Sequence, residues 1–322
     1  MTRRLLLLLS ASAVLLGLAA PPAGAAPGVI VSAHRGGAAY APENTMVAFR
    51  NAVRLGVDEL ETDVQQSADG TLVLIHDDTL NRTTSCTGTV SSITDAALAR
   101  CDAAWWWTAG PNVTTAVDTA PHVLRGKGVR VPRLQELLDY ARSLGAKSPQ
   151  LSIEIKDIPG ESNFDPAGTR IAPLLVAAIA KSGVPKGRIV VQSFWPAALD
   201  AVKRLDPALR TQFLTSSGTG QTAGDNLAYV VAGRHDISAP NYDAPDFGAA
   251  YLSAAHGVGK AVIPYTADTA TVMRSLVGLG VDGLITNRPG CLLAQLGRKT
   301  PAQLLPEVAV KAGSAPVTPC SG

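Results

Sequence analysis

The stretch from Ile30 to Thr84 reads IVSAHRGGAAYAPENTMVAFRNAVRLGVDELETDVQQSADGTLVLIHDDTLNRTT, and it decides the fold. It contains three apolar runs, each followed or interrupted by residues that can transfer protons, bind cations or bind anions. Those residues are His34, Arg35, Glu61, Asp63, His76 and Asp77. Because polar groups at the ends of successive buried strands gather at one end of a parallel sheet or barrel, this pattern predicts a single site there.

Beyond this stretch, short apolar runs alternate with longer amphipathic ones, which indicates repeated βα units. The predicted core strands are 29–33, 59–64, 151–155, 188–192, 211–214, 236–239, 261–265 and 283–286. The predicted helices are 43–55, 134–144, 170–182, 197–205, 225–231, 247–256, 269–279 and 291–296. Eight such units predict an α/β fold, a closed (β/α)8 TIM barrel. An open doubly wound sheet is the alternative, but its Gly-x-Gly-x-x-Gly signal is absent after the first strand.

One segment breaks the alternation. A short strand at 72–75 follows an Asp-Gly turn, and residues 77–130 are then rich in Thr, Gly and Ala. We interpret 77–130 as a small insertion after the second barrel strand, within a single domain spanning 26–322. Residues 298–322 are expected to form a C-terminal tail on the surface.

The N-terminus predicts export. Two arginines precede a leucine-rich run, and a small-residue cleavage site ends at Ala25, so residues 1–25 are expected to be a signal peptide of a secreted protein. The sequence leaves open the general or the twin-arginine route. Removing Arg3 and Arg4 from the 28 basic residues balances the 26 acidic ones. Because the charges balance, we expect no attraction to nucleic acid. The sequence has no second long apolar run, so we do not expect membrane insertion. We expect a monomer that binds a small-molecule substrate.

The four cysteines fit an exported chain, because an even number suggests disulfides. Three pairings are possible. We favour Cys86–Cys101 and Cys291–Cys320, since each closes a local loop outside the regular elements. A thiolate metal site is disfavoured because no Cys-x-x-Cys spacing is present.

Three carboxylates form the predicted metal site. Glu61 and Asp63 are two residues apart on one strand, so their side chains share a face, and Glu154 has the same relation to Lys156 on the next barrel strand. Clustered carboxylates repel each other unless a cation lies between them, and oxygen ligands suit Ca²⁺ or Mg²⁺. The alternative is that these carboxylates are salt-bridged or face solvent.

His34 and His76 are the candidate catalytic residues. Two histidines beside a carboxylate metal site suit general acid–base chemistry, in which one accepts a proton and the other donates one. Arg35 and Lys156 are candidate substrate-binding residues because both can contact phosphate oxygens. Histidine ligation of the metal is an alternative, although hard cations prefer oxygen.

These residues lie in motifs that resemble the glycerophosphodiester phosphodiesterase family over nearly the whole mature chain. The motifs are His34-Arg35-Gly36, Pro42-Glu43-Asn44-Thr45, Glu61-Thr62-Asp63, Asp69-Gly70, His76-Asp77, Leu80-Asn81-Arg82-Thr83, Val131-Pro132-x-Leu134-x-Glu136, Ile153-Glu154-Ile155-Lys156, Gln192-Ser193-Phe194 and Gly280-Val281-Asp282-Gly283. The resemblance implies a barrel enzyme that hydrolyses glycerophosphodiesters to sn-glycerol 3-phosphate and an alcohol. It also implies the assignments above: one divalent cation, Ca²⁺ or Mg²⁺, on Glu61, Asp63 and Glu154, proton transfer by His34 and His76, and phosphate contacts by Arg35 and Lys156.

The chain departs from the family pattern near its C-terminus. A Trp-Thr-x-Asn sequence is usual where this chain has Tyr265-Thr266-Ala267-Asp268, and Asp-x-Pro is usual where it has Asn287-Arg288-Pro289. Arg133 also replaces a common Thr. These departures leave the catalytic set intact and affect the expected specificity for the alcohol.

Two rival functions remain at this point. One is a phospholipase D-like barrel enzyme acting on lysophospholipid or sphingomyelin, which an apolar patch around Trp105–Trp107 at the site mouth would favour. The other is a non-catalytic binding protein on the same scaffold, which the complete set of histidines and carboxylates argues against.

Overall fold

In the part of the chain that the structure describes, eight parallel strands are arranged around one interior, with helices outside. The structure is a computed structural model and describes residues 28–108, 122–215 and 220–298. The strands are β1 Ile30–Ala33, β2 Glu59–Gln66, β3 Leu72–Leu74, β4 Gln150–Ile155, β5 Ile189–Ser193, β6 Arg210–Thr215, β7 Ile237–Pro240, β8 Ala261–Val262 and β9 Gly283–Thr286. The α-helices are α1 Met46–Leu55, α2 Asp95–Leu98, α3 Leu134–Leu144, α4 Ile171–Ser182, α5 Pro196–Leu205, α6 Ala223–Ala232, α7 Ala249–Gly257, α8 Ala270–Leu279 and α9 Pro289–Gln295.

The strand order makes a nearly closed barrel. The parallel strands run β8-β7-β6-β5-β4-β2-β1-β9, and β3 pairs antiparallel with β2 outside this path. Backbone hydrogen bonds then join the two ends, from Asp282 N–H to the Val262 carbonyl (3.0 Å) and from Ile285 N–H to the Pro264 carbonyl (3.1 Å). The predicted (β/α)8 barrel is therefore confirmed, and the open doubly wound alternative is wrong.

Two predicted boundaries differ from the structure for identifiable reasons. The first helix was expected from Glu43 but begins at Met46, because Asn44 has a left-handed backbone (φ 55°) and the Thr45 side chain accepts the Ala48 N–H as an N-cap. The strand expected at 261–265 ends at Val262, since Pro264 has no N–H to donate to a neighbouring strand.

Alternation along the strands separates the core from the site. On β2 the side chains of Leu60 and Val64 are buried against the helices. The opposite face carries Glu59, Glu61 and Asp63, which are buried at 1% exposure or less. The interior of the barrel therefore contains carboxylates as well as hydrophobic residues, and the carboxylates concentrate toward the carboxyl end of the strands.

Three aspartates repeat the same contact at the other end of the barrel. Asp58, Asp236 and Asp282 each precede a strand and exchange two hydrogen bonds with a residue of the neighbouring strand. Their N–H groups donate to the carbonyls of Val31, Thr211 and Val262 at 3.0 to 3.1 Å. Their carboxylates accept the N–H groups of the same three residues at 2.7 to 2.9 Å. These reciprocal pairs hold the strand register at the amino-terminal end.

The segment between β3 and α3 packs as a small hydrophobic cluster against β3. Trp106 and Trp107 are buried in it, whereas Trp105 is 47% exposed with the Arg125 guanidinium 4.2 Å from its ring centre. The predicted Cys86–Cys101 disulfide is present, so that pairing is confirmed. Cys320, the predicted partner of Cys291, lies outside the described residues, as do residues 1–25 and nearly all of the predicted tail. None of the described helices is long and apolar enough to cross a membrane.

Candidate active site

The three predicted carboxylates lie together at the carboxyl end of β2 and β4. Glu61 and Asp63 share one face of β2, and the parallel register places Glu154 directly beside Asp63. One oxygen from each of these three buried residues lies within 4.8 Å of the others, a geometry that could hold a metal ion. Oδ1 of Asp63 is buried and accepts no hydrogen bond from the described residues, so this oxygen has an unused lone pair beside the other two carboxylates.

The electrostatics of this cluster reflect burial and mutual repulsion. Burial raises the pKa of Glu61 well above its usual value, and the charges of Asp63 and Glu154 raise it further. Burial also raises the pKa of Glu154, to about 7, although Lys156 opposes the shift. Burial alone would raise the pKa of Asp63, but His76, Arg35 and Lys156 around it more than offset this and lower it. The cluster therefore carries a negative charge that a cation would stabilise.

Amide groups fix the orientation of two of the carboxylates. Gln192 donates from Nε2 to Oε1 of Glu61 at 2.8 Å. Asn44 donates from Nδ2 to Oδ2 of Asp63 at 2.7 Å, while its own Oδ1 accepts from the Thr62 hydroxyl at 2.8 Å. The left-handed backbone of Asn44 thus both ends the loop before α1 and places its amide over Asp63.

Arg35 reaches the cluster through a tight turn after β1. Its backbone is left-handed (φ 52°), and its N–H donates to Oε2 of Glu61 at 2.7 Å. Its guanidinium donates to Oε1 of Glu43 at 2.9 Å and lies 3.5 Å from Oδ2 of Asp63. The next residue, Gly36, also has positive φ, and a Cβ there would lie 2.7 Å from the Ala48 Cβ, so the turn requires glycine.

His34 is placed at the end of β1, with both ring nitrogens in contact with other side chains. Nδ1 lies 2.8 Å from Oδ1 of Asn287, and Nε2 accepts from Nε of Arg35 at 3.2 Å. Burial, with the neighbouring Arg35 charge, lowers the pKa of His34 to about 3. The imidazole is therefore neutral at physiological pH.

His76 has a different environment. Its Nδ1 is 2.7 Å from Oδ1 of Asp77, and its Nε2 is 3.1 Å from Nζ of Lys156. Burial and the Lys156 charge lower the pKa of His76, while Asp63 and Asp77 oppose that shift. Lys156 itself is fully buried, with Nζ 2.8 Å from Oε1 of Glu154. Burial alone would lower the pKa of Lys156, but Glu154 and Asp63 more than offset this and raise it, so the ammonium group stays charged.

One arginine that sequence reasoning did not select joins the two sides of the site. Arg82 donates to both oxygens of Asp77 and to both oxygens of Glu43, at 2.7 to 2.9 Å. Asp77 contacts His76, and Glu43 contacts Arg35. Because its guanidinium also lies 5.9 Å from the Trp106 ring centre, Arg82 connects the site to the segment that follows β3.

The site opens into a cavity of about 140 Å³. Its lining includes the ionisable residues His34, Arg35, Glu61, His76 and Glu154, and also Gln192, Phe194, Leu214, Tyr265, Thr266 and Ile285. If the anionic group of a substrate contacted the charged residues, the rest of the substrate would lie against Phe194, Leu214, Tyr265 and Ile285.

The structure brings all seven predicted site residues together. Five of them line the cavity, and the other two, Asp63 and Lys156, are buried in contact with those five. Sequence reasoning did not assign roles to the supporting residues, which are Glu43, Asn44, Asp77, Arg82, Gln192 and Asn287. Most of these lie within the motifs quoted above, and that position was the available signal. Two further histidines lie away from the site: His235 is fully buried beside α6, and His256 pairs with Asp282 at 2.9 Å.

The chain is similar to one family of known proteins. The sequence pattern of the glycerophosphoryl diester phosphodiesterase family matches residues 34–291. The glycerophosphodiester phosphodiesterase of Caldanaerobacter subterraneus is 30% identical over 270 residues, covering 82% of this chain and 96% of that protein. A Bacillus subtilis enzyme of the same name is 29% identical over 264 residues, covering 81% of this chain and 84% of that protein.

Solved structures show the same fold. A Silicibacter pomeroyi structure described with the same family name has a TM-score of 0.71 and 26% identity, and the match covers 84% of this chain and 94% of that one. An Oleispira antarctica phosphodiesterase, solved in complex with the product sn-glycerol-3-phosphate, has a TM-score of 0.68 and 21% identity, with coverage of 84% and 97%.

The barrel and these matches define an α/β-barrel hydrolase that acts on phosphoric diesters. With the family pattern matched across most of its length, the chain belongs to the glycerophosphoryl diester phosphodiesterase family and is an enzyme.

Proposed function

We propose that this enzyme hydrolyses glycerophosphodiesters to sn-glycerol 3-phosphate and an alcohol. The observation that carries the proposal is one cavity lined by two histidines, Arg35 and two carboxylates, with Asp63 and Lys156 buried in contact with them. A phosphodiester bound there would meet positive charge and proton-transfer groups together. The sn-glycerol-3-phosphate held by the Oleispira antarctica phosphodiesterase supports glycerol phosphate as the product.

A divalent cation, Ca²⁺ or Mg²⁺, would bind to Glu61, Asp63 and Glu154. The donor set fits, because all three ligands are carboxylates and Oδ1 of Asp63 lacks a hydrogen-bond partner among the described residues. When bound, such a cation withdraws negative charge from a phosphoryl group. The carboxylates themselves are oriented before any ion arrives, by Gln192, Asn44 and the N–H of Arg35.

His34 and His76 would transfer the protons. Neutral His34 can accept one. Asp63 and Asp77 oppose the lowering of the His76 pKa by burial and Lys156, so His76 is the ring that we assign to donate to the leaving alcohol. Arg35 and Lys156 would bind the phosphate oxygens. Arg35 lines the cavity and pairs with Glu43, and Lys156 is buried behind the cavity and pairs with Glu154.

The test is a substrate and metal panel on purified protein. Glycerophosphocholine should release sn-glycerol 3-phosphate, detected with a coupled dehydrogenase, and chelation should abolish release until Ca²⁺, Mg²⁺ or Zn²⁺ is added back. His34→Ala and His76→Ala should each lower kcat by roughly 10²- to 10⁴-fold, the usual contribution of acid–base catalysis. Full turnover after exhaustive chelation would contradict the metal assignment, and unchanged turnover in both variants would contradict the proton-transfer assignment.

The alternative is a phospholipase D-like enzyme acting on lysophospholipid or sphingomyelin. Trp105 is the one exposed tryptophan among Trp105–Trp107, and it is covered on one face by Arg125. In the described residues these tryptophans thus form no apolar patch of the kind that binds lipid surfaces, which favours the water-soluble diester. Faster turnover of lysophosphatidylcholine than of glycerophosphocholine would reverse this preference.

We expect the protein to be secreted. The Cys86–Cys101 disulfide is typical of proteins in oxidising compartments, and the N-terminal sequence has the features of a signal peptide. Protein recovered outside the cytoplasm of an expressing bacterium should begin at Ala26. An unprocessed N-terminus on cell-associated protein would contradict secretion.

A further inference from the structure

Asp268, Asn287 and His34 form a chain of hydrogen bonds behind the site. Nδ2 of Asn287 donates to Oδ2 of Asp268 at 2.6 Å, and Oδ1 of Asn287 lies 2.8 Å from Nδ1 of His34. The backbone of Asn287 is also held on both sides. Its N–H donates to Oδ1 of Asp268 at 2.8 Å, and its carbonyl accepts the N–H of Ala39 at 3.1 Å. Asn287 is 7% exposed, and His34 and Asp268 are partly buried.

The hydrogen-bonding chemistry of Asp268, Asn287 and His34 fixes which of their atoms carry hydrogens. A carboxylate only accepts hydrogen bonds, so the end of the Asn287 amide that faces Asp268 must be the NH₂ group. The other end, facing His34, is then the carbonyl oxygen, which also only accepts. Nδ1 of His34 must therefore carry a hydrogen.

The other ring nitrogen independently indicates the same tautomer. Nε2 of His34 lies 3.2 Å from Nε of Arg35, a group that always carries a hydrogen and can only donate. Nε2 must therefore present its lone pair. One acceptor at Nδ1 and one donor at Nε2, each of fixed polarity, thus specify the same tautomer of the ring.

We propose that Asn287, oriented by Asp268, is a positioning residue that holds His34 as the Nδ1–H tautomer, with Nε2 as the nitrogen that accepts a proton. The consequence for the reaction rests on the proposed function, but the tautomer itself does not. The charge of Asp268 stays one residue away from His34, and a neutral amide faces the ring. This differs from His76, whose Nδ1 faces the carboxylate of Asp77 directly.

The side chains of Asp268 and Asn287 can be exchanged without losing a hydrogen bond, and this exchange tests the proposal. In the double variant Asp268→Asn/Asn287→Asp, the amide at 268 can donate to the carboxylate at 287 and still accept from the residue 287 N–H and the Thr286 hydroxyl. The carboxylate at 287 would accept from Nδ1 of His34. The single variant Asn287→Asp instead places two carboxylates side by side.

The measurement is ¹⁵N NMR of the histidine rings in the metal-free, full-length mature protein near pH 7. His34→Gln identifies the His34 signals by their loss. The wild type should show Nδ1 protonated and Nε2 unprotonated. Asn287→Ala removes the 2.8 Å contact at Nδ1 and leaves only the longer 3.2 Å contact from Arg35 at Nε2, so it should give averaged shifts from mixed tautomers. The double exchange should restore the wild-type tautomer. Thr286→Val, which loses a contact to Asp268 but none to His34, is the matched control and should match the wild type.

Activity provides the second readout. Asn287→Ala should lower kcat by about 10- to 100-fold with a smaller change in KM, and the double exchange should recover most of the loss. If the His34 ring keeps the same tautomer in folded Asn287→Ala, or if the wild type itself shows Nε2 protonated, the proposal is wrong. Should Asn287→Ala fail to fold, an Nε2-protonated or averaged ring in the double exchange would equally overturn it. Failure of the wild type to hydrolyse glycerophosphocholine would contradict the proposed function alone.

Discussion

Arg82 shows how a single residue can determine the geometry of a site that it does not line. It binds Asp77 and Glu43 with four hydrogen bonds, and through them it holds His76 and Arg35. The two arginines hold the pKa of Glu43 below its usual value despite the burial that would raise it. A planar guanidinium can serve two carboxylates in this way, and a lysine ammonium cannot.

We therefore predict that Arg82→Lys lowers kcat of the metal-loaded enzyme by roughly 10- to 100-fold, in the range found for residues that orient catalytic groups. Steady-state kinetics with glycerophosphocholine would measure this, and circular dichroism would verify folding. Arg142→Gln, which removes an exposed pair with Asp139 on α3, is the control and should behave as wild type. A folded Arg82→Gln enzyme with wild-type kcat would contradict the positioning role.

His235 predicts a pH dependence of stability that is unrelated to catalysis. It is fully buried between α6 and β7, stacked on Tyr229, with Nδ1 3.0 Å from the Thr211 hydroxyl and Asp200, Asp236, Lys203 and Lys260 around it. Burial lowers the pKa of His235 below the value of 6.5 expected in the unfolded chain. As pH falls below 6.5, the unfolded chain binds a proton that the folded protein excludes, so stability present above this pH is lost.

The expected loss from His235 is at most about 1.4 kcal/mol between pH 6.5 and 5.5. Urea unfolding at pH 7.5 and 5.5 would measure the change in the free energy of unfolding for the wild type and for His235→Gln. The variant should be less stable overall but should lose less on acidification. His256→Gln, on the exposed face of α7, controls for removal of a histidine. An equal loss in wild type and His235→Gln would show that His235 is not the group responsible.

Among the elements, the segment between β3 and α3 has its own small core and its own covalent link. The Cys86–Cys101 disulfide closes a loop of 15 residues around α2, and bonds of this span contribute about 3 kcal/mol. Because the hydrophobic cluster around Leu80, Trp106 and Trp107 contacts the barrel mainly through β3, the segment can loosen while the parallel barrel remains intact.

Cys86→Ser/Cys101→Ser should accordingly expose this segment first. Limited proteolysis and hydrogen exchange should show cleavage and faster exchange within residues 77–108 at temperatures where the strands β4–β7 remain protected. Loss of protection throughout the chain in one step would instead mean that the segment and the barrel unfold as one unit.

Element boundaries also show what the sequence could and could not predict. Strands and helices followed from periodicity, since Leu60 and Val64 alternate with Glu61 and Asp63 on β2. The start of α1 did not, because Asn44 leaves the helix to place its amide on Asp63, and no local pattern signals that contact. Likewise, Asn287 was visible as a polar residue ending a strand, but its contact with His34 joins residues 253 positions apart and requires the closed barrel. The departure at 287 therefore contacts His34 directly, and the departure at 268 reaches His34 through Asn287.

For the whole molecule, the site carboxylates oppose stability in the absence of a cation. Three buried acids within 4.8 Å repel each other, and an ion that binds only the folded state adds stability by mass action. At a concentration 100-fold above Kd this amounts to about 2.7 kcal/mol.

Thermal unfolding in chelator and then in Ca²⁺ or Mg²⁺ should therefore show a rise in Tm of several degrees. Glu61→Gln should raise Tm in chelator, because folding no longer buries a carboxyl group whose pKa is raised by burial and by Asp63 and Glu154. It should also diminish the response to the cation. The control Glu136→Gln, at the start of α3, should respond to the cation as wild type. An unchanged Tm for the wild type across a wide range of both cations would argue that these carboxylates bind no ion.

The reciprocal aspartate pairs at the amino-terminal end of the barrel have a consequence for the history of the protein. They fix strand register from Asp58, Asp236 and Asp282, at the end of the strands away from Glu61, Asp63 and Glu154. Selection for stability and selection for substrate specificity therefore act on opposite ends of the barrel. Loops around the cavity can therefore change toward new alcohols without disturbing the strand register. Variants selected in the laboratory with replaced cavity loops should retain the barrel fold.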